Sequence, residues 1–242
     1  MTRSEVVGMF DHIAPLYDAM NTLMTAGIDA RWRSAAVAAA ELGPGMRVLD
    51  VACGTGKLAL ACAQRVRPGG EVVGLDASLP MLRRAVRAAR RAAAGPAGME
   101  VRLRWVRGDA MALPFVDGTF DALTIGFGLR NLPDAGAGLR EMARVLLPGG
   151  RLVVLEVGEP PGGLPRLLYE TWFRRAVPVL GRVAGRGSAY AYLPRSVRDY
   201  PRPDEVAALM REAGLERVTW RWLTSGMVTL HVGRRSAPTP EA

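Results

Sequence analysis

Met46-Arg47-Val48-Leu49-Asp50-Val51-Ala52-Cys53-Gly54-Thr55-Gly56 is the stretch on which the fold turns. Its first half is a short β-prone run, and its second half is a glycine turn leading into helix-like Lys57 to Val66. Strand, glycine turn and helix in that order open a βαβ unit. Glycine lets the backbone come close to a ligand, and Asp50 puts an acid at the strand end beside it, so the turn forms the floor of a nucleotide crevice. The spacing is neither GxGxxG opening a helix nor GxxxxGK[ST], so neither a dinucleotide pyrophosphate nor a triphosphate cradle is indicated.

Outward from that turn the alternation continues. Glu71 to Asp76 reads as a strand and Leu79 to Ala93 as a helix. Strand-like Val101 to Val106 and Phe120 to Phe127 follow, then helix-like Ala135 to Leu146 and strand-like Arg151 to Val157. Strands alternating with helices predict an α/β, Rossmann-like, doubly wound and mostly parallel sheet. A helix is expected over Asp204 to Ala213. Two β-prone runs, Arg217 to Leu223 and Met227 to Gly233, flank the tight-turn signal Ser225-Gly226 and predict an antiparallel edge pair. Ahead of the sheet, Val6, Met9 and Phe10, then Ile13, Leu16, Tyr17 and Met20, repeat at helical spacing. Ala30 to Leu42 is helical until Gly43-Pro44-Gly45 stops it. The expected organisation is a helical lid or substrate segment over 1–42, the sheet domain over 43–235 and a flexible tail over 236–242.

The chain has 242 residues, 49% hydrophobic and 23% charged, which is enough for one sizeable α/β core without disulfides or metals. It contains no run of about 18 apolar residues and no apolar segment at its start, so a cytoplasmic protein is expected. Cys53 and Cys62 lack the pairing of a zinc site and read as small buried residues; no metal is expected. Net charge is +9, and Lys57 is the single lysine, so the basic excess is arginine. Between Arg83 and Arg107 lie eight arginines and one acid, Glu100. That stretch is either a solvated helix face or a surface for anionic lipid or nucleic acid. Trp105 is the one aromatic among the arginines, too few for a stacking platform, which disfavours nucleic acid.

Three successive strands each end in an acid at one sheet edge: Asp50, Asp76 and, in Gly108-Asp109-Ala110, Asp109. Open α/β sheets bind ligands at that edge, where Asp76 can accept both hydroxyls of a ribose and Asp109 can hold an adenine amino group. With these residues in view, the chain resembles the class I S-adenosylmethionine-dependent methyltransferases. Further strings narrow the likeness: Ile13-Ala14-Pro15-Leu16-Tyr17-Asp18-Ala19-Met20-Asn21, Ile28-Asp29-Ala30-Arg31-Trp32-Arg33, and Phe127-Gly128-Leu129-Arg130-Asn131. Tyr190-Ala191-Tyr192-Leu193 and Thr224-Ser225-Gly226-Met227 extend it, and over roughly residues 5 to 234 the chain is similar to the ubiquinone/menaquinone biosynthesis C-methyltransferase family. Lys57 departs from that family, many of whose members carry an acid there.

The resemblance implies S-adenosylmethionine held by Asp50, Gly54, Thr55, Gly56, Asp76, Asp109 and Ala110. It implies C-methylation of demethylmenaquinol, with a ubiquinone precursor or another lipid acceptor as the alternatives; the chain's short N-terminus leans toward menaquinone. Arg130 is expected to stabilise a phenolate, Asn131 to orient a water and Tyr17 to line the lid, each against a purely structural reading of the same residue. Of the two histidines, His12 reads as structural rather than as a base. Leu164 to Leu180, with Tyr169, Trp172 and Phe173, is either a channel for a polyprenyl tail or core packing. The expected partners are a polyprenyl quinol and, at the periphery, an anionic membrane surface; no nucleic acid is expected, and analogy with the family implies a homodimer.

Overall fold

The computed structural model describes residues 2–94, 100–160, 162–163, 166–167, 171 and 195–236. Three helices come first, α1 (Arg3–Ile13), α2 (Tyr17–Met24) and α3 (Asp29–Ala39). The sheet domain then runs β1 (Arg47–Val51), α4 (Lys57–Ala63), β2 (Glu71–Asp76), α5 (Leu79–Ala93), β3 (Arg102–Arg107) and β4 (Phe120–Gly126). It continues with α6 (Ala135–Val145), β5 (Leu146–Val157), α7 (Pro203–Glu212), β6 (Leu215–Leu223) and β7 (Val228–Arg235).

The described residues build one seven-stranded sheet in the order β3-β2-β1-β4-β5-β7-β6. β1 to β5 pair in parallel, while β7 pairs antiparallel with both β5 and β6. The expected edge pair is present, with β7 slotted inside and β6 at the rim. The central strands read as unbroken apolar runs because both faces are covered and successive side chains point to opposite faces. Val48, Val72, Ala122 and Val153 turn toward Trp32, Ala36 and Val37 of α3 and Leu58, Ala59 and Cys62 of α4. Their neighbours Leu49, Val73, Leu123 and Leu152 turn the other way, toward Leu139 and Met142 of α6 and Val206 and Met210 of α7. Cys53 and Cys62 are both buried free thiols.

Three details differ from the sequence expectation. Asp50 is not the last residue of β1: it lies one position inside, paired with Gly74 and Thr124 in neighbouring strands, so that the apolar Val51 ends the strand. β5 begins at Leu146 rather than Arg151, because Leu146 leaves α6 in extended conformation and pairs with Phe120 before a register shift. The two-residue turn at Ser225-Gly226 is a short 3-10 turn, Thr224–Gly226, with positive φ at all three positions. The expected prenyl channel over Leu164 to Leu180 falls mostly outside the described residues, as do Tyr190 to Leu193 and all of the tail beyond Ser236.

Candidate functional site

The order β3-β2-β1-β4-β5 reverses direction between β1 and β4, and open α/β sheets bind ligands at the carboxyl edge of such a reversal. Here the first residues past the two strands, Ala52 and Phe127, both hold positive φ, 52° and 60°. Non-glycine residues enter that region at a cost of order 1 kcal/mol, so the chain keeps local strain at the lip of the crevice. Gly54, at φ 55°, has open space where a Cβ would stand, and this bare backbone forms the crevice floor. Gly56 also has positive φ, but a Cβ there would lie 2.6 Å from the Trp105 ring. Its role is therefore close packing of α4, and it lines neither of the cavities described next.

Two cavities meet at this edge. The smaller, about 110 Å³, is lined by Asp76, Ala77, Ser78, Asp109, Ala110 and Asn131, with Phe10 of α1 above. The larger, about 380 Å³, is lined by Asp50, Thr55, Arg130, Trp32, Arg33 and Met227 among others. Tyr17, Ala52, Gly54, Gly126 and Phe127 line both. Tyr17 thus stands at the junction, and its ring meets Phe10 edge-on at 6.1 Å.

Asp76 ends β2 and accepts the amide of Gly54 at one carboxylate oxygen and that of Ser78 at the other, both at 2.8 Å. Burial raises its pKa, and these backbone donors oppose the rise. Asp109 accepts the Met111 amide at 3.0 Å, which shapes the turn after β3. Asp50 accepts Thr124 Oγ1 at 2.6 Å, while its Oδ2 is buried with no hydrogen-bond partner. Burial pushes its carboxyl up to about 7. An orphaned buried carboxylate oxygen beside a glycine turn that leaves room for a ligand fits the ammonium group of an amino-acid moiety. The adjoining acids of the smaller cavity fit an adenosyl group, so the residues present suit the expected S-adenosylmethionine.

Helices α1 and α2 close over both cavities. Ser78 Oγ, at the N-cap of α5, donates to Asp11 of α1, and Ile13 and Ala14 pack on Met81. Thr55 Oγ1 donates to Asp18 of α2 at 2.8 Å, and Lys57 Nζ lies 3.3 Å from the same carboxylate oxygen. Lys57 is therefore the partner of an acid on α2. His12 is exposed on α1 and lines none of these cavities.

Arg130 and Asn131 lie in a 3-10 turn, Leu129–Asn131, directly after β4. Arg130 Nη1 donates to the Phe127 carbonyl at 2.8 Å and forms an ion pair with Glu156 of β5. Asn131 Nδ2 donates to the same carbonyl at 3.2 Å. Glu156 is fully buried and also accepts the amides of Arg130 and Val157. Sequence reasoning missed Glu156, although a single acid in the apolar run Leu152-Val153-Val154-Leu155-Glu156-Val157 is itself a signal, because a buried charge requires a partner. It also missed the role of Asp29 and Arg33, an i,i+4 ion pair on α3 that lines the larger cavity. His231, the second histidine, is buried in β7 against Trp220, away from both cavities, and burial lowers its pKa to about 4.

A family model described as the ubiE/COQ5 methyltransferase family matches residues 1–235. The chain belongs to the ubiE/COQ5 methyltransferase family. A demethylmenaquinone methyltransferase of Thermus thermophilus is 48% identical to this family member over 228 residues, spanning 94% of this chain and all of the relative. The protein of the same name from Mycobacterium marinum is 42% identical, covering 97% of this chain and 95% of its own. One from Syntrophotalea carbinolica, named as a ubiquinone/menaquinone biosynthesis C-methyltransferase, is 43% identical over 95% of this chain and 94% of its own. Among solved structures, the [4+2]-cyclase SpnF superposes with a TM-score of 0.71 at 20% identity, over 97% of this chain and 96% of that one. A SAM-dependent methyltransferase from Aquifex aeolicus superposes with a TM-score of 0.58 at 19% identity, over 84% and 88%. These two likenesses establish the shared fold of this ubiE/COQ5 methyltransferase.

Proposed function

We propose that this methyltransferase converts demethylmenaquinol to menaquinol by C-methylation with S-adenosylmethionine. The observation that carries the reading is the meeting of two cavities at Tyr17, in a chain whose near full-length relatives are named for that reaction. The smaller cavity, with Asp76, Asp109 and Ala110, holds the adenosyl group; Asp50, Gly54 and Thr55 hold the amino-acid end. When bound, the cofactor supplies a methyl group already activated on a sulfonium sulfur. The protein's main task is then alignment, which for well-oriented reactants is worth about 7–11 kcal/mol.

The larger cavity takes the acceptor ring. Its lining is mostly apolar, with Met24, Ile28, Trp32, Phe127 and Met227, as a hydrocarbon-bearing aromatic substrate requires. Arg130, fixed by Glu156, donates to the ring oxygen whose negative charge grows as its proton leaves. A preorganised donor in a water-poor site stabilises such an oxyanion strongly. Burial raises the Tyr17 phenol above its ordinary pKa, so Tyr17 keeps its proton and works as a hydrogen-bonding wall rather than as a base. Asn131 lines the smaller cavity and, through the Phe127 carbonyl, orients the turn that carries Arg130. Residues 1–42 act as a lid, and the arginine-bearing face touches the cytoplasmic leaflet, where a polyprenyl substrate resides.

The Syntrophotalea relative's double name favours a second reading, in which a ubiquinone precursor is also methylated. Labelled-methyl transfer to reduced demethylmenaquinone in detergent, beside calorimetric cofactor binding, tests the assignment. Asp76→Ala is expected to lose cofactor affinity by about 10- to 100-fold, the equivalent of one or two charge-assisted hydrogen bonds. Arg130→Met should keep cofactor affinity and lose turnover. Arg130→Met turnover equal to wild type would remove Arg130 from the chemistry.

A further inference from the structure

Arg33 enters the larger cavity from α3, a different wall from the one that carries Arg130. The α3 helix is already anchored by buried Trp32, Ala36 and Val37, and Trp32 Nε1 donates to Thr224 Oγ1 at 2.7 Å. An ion pair is not needed to hold it, and a buried pair stabilises little compared with an apolar replacement. Yet Asp29 and Arg33 pair with side chains only 7% and 14% exposed, in a cavity whose remaining lining is largely apolar. The hydrogen bond recorded for the Arg33 guanidinium goes to Asp29, which leaves further N–H groups of its planar fork for a ligand. The carboxylate offsets the positive charge, so the pair offers hydrogen-bond donors with little net charge. That suits a neutral polar acceptor. Arg33 and Arg130 line the same cavity, together with Tyr17 at the junction.

We propose that Arg33, held by Asp29, is a second anchor for the acceptor ring, donating to one oxygen of a 1,4-dihydroxyarene while Arg130 donates to the other. The site then selects a ring that carries two oxygens para to one another over a ring that carries one. A site built to hydrogen-bond a hydroxyl rejects an analogue that lacks it, because its own donor is left unpaired. This inference rests on the quinol reading above, and its test is therefore a binding measurement that needs no turnover.

Anaerobic calorimetry compares 1,4-naphthalenediol with 1-naphthol on wild type, Arg33→Gln, Arg33→Lys and the double variant Asp29→Asn/Arg33→Gln, which leaves no lone carboxylate in the cavity. Wild type is expected to prefer the diol by about tenfold, the equivalent of one hydrogen bond to a charged group. Arg33→Gln and the double variant should close most of that gap, and Arg33→Lys should keep part of it, all with unchanged affinity for S-adenosylmethionine. Equal binding of the two ligands by wild type, or a gap that survives in the double variant, would overturn the anchor. Methyl transfer to demethylmenaquinol is scored separately on wild type. A diol preference that depends on Arg33 in a protein that methylates no quinol would uphold the anchor and defeat the function; the reverse pattern would do the opposite.

Discussion

Asp50 is held inside β1 with Thr124 on one oxygen and no partner on the other, and burial lifts its carboxyl from 3.8 to about 7. A carboxyl whose folded pKa is raised stabilises the fold below its unfolded pKa and loses that contribution as pH rises through about 7. Asp50→Asn should therefore melt higher than wild type in the absence of ligand, with the difference greatest above about pH 7 and fading toward pH 4. Cofactor binding should run the other way. Wild-type affinity is expected to climb between about pH 6 and 8 as the carboxylate ionises to meet the ammonium group, and Asp50→Asn should flatten that rise. Calorimetry across the range checks both, and a wild-type affinity that does not change with pH would contradict the role given to Asp50. Glu156 poses a different balance, because removing one partner of a buried pair leaves the other charge uncompensated. Glu156→Gln should cost about 3–5 kcal/mol in denaturant unfolding, and Glu156→Gln/Arg130→Met should recover much of the loss. Equal losses in the single and double variants would mean that the pair is not the coupled unit described here.

At the scale of elements, two acids tie α1 and α2 to the sheet domain, Asp11 through Ser78 and Asp18 through Thr55 and Lys57. The Asp18–Lys57 pair is 29% and 37% exposed, so its loss should change global stability by less than about 1 kcal/mol. Asp18→Ala is expected to speed amide exchange in α1 and α2 while leaving the unfolding midpoint in place. Exchange unchanged in both helices would show that Asp18 does not hold them to the sheet domain. Strands and helices of the sheet domain were legible in the sequence because apolar runs such as Val48-Leu49 and Val72-Val73 are covered on both faces, and glycine turns punctuate them. Less legible was the start of β5, since Leu146 satisfies a helical period and a strand period equally. Of the candidate site, Asp76 was legible as the end of β2 and Asp109 as an acid in the turn after β3, while Asp50, expected at a strand end, lies one position inside β1. The pairing of Glu156 with Arg130 and of Asp18 with Thr55 was not legible, because those partners lie 26 and 37 residues away and only the folded chain brings them together.

Over the whole molecule, the arginine excess has a location. Arg83, Arg87, Arg90 and Arg91 are exposed on α5, and Arg102, Arg104 and Arg107 are exposed on β3, the edge strand that α5 packs beside. No helix among the described residues is long and apolar enough to cross a membrane. On the proposed reading, contact of this arginine face with lipid is electrostatic, at about 1 kcal/mol per arginine near an anionic surface, and sensitive to salt. Sedimentation with vesicles is expected to show binding to anionic but not zwitterionic lipid. Arg83→Glu/Arg87→Glu/Arg90→Glu should abolish it without altering turnover in detergent. Equal binding of that variant would place the contact elsewhere. The most direct test of the central claim follows the methyl group itself. Wild-type protein is incubated with S-adenosylmethionine bearing a labelled methyl and with reduced demethylmenaquinone, and the product is examined by mass spectrometry and nuclear magnetic resonance. The account predicts one labelled methyl on the ring carbon of the quinone product. Tight cofactor binding with no methyl transferred, or a methyl found on oxygen, would contradict it.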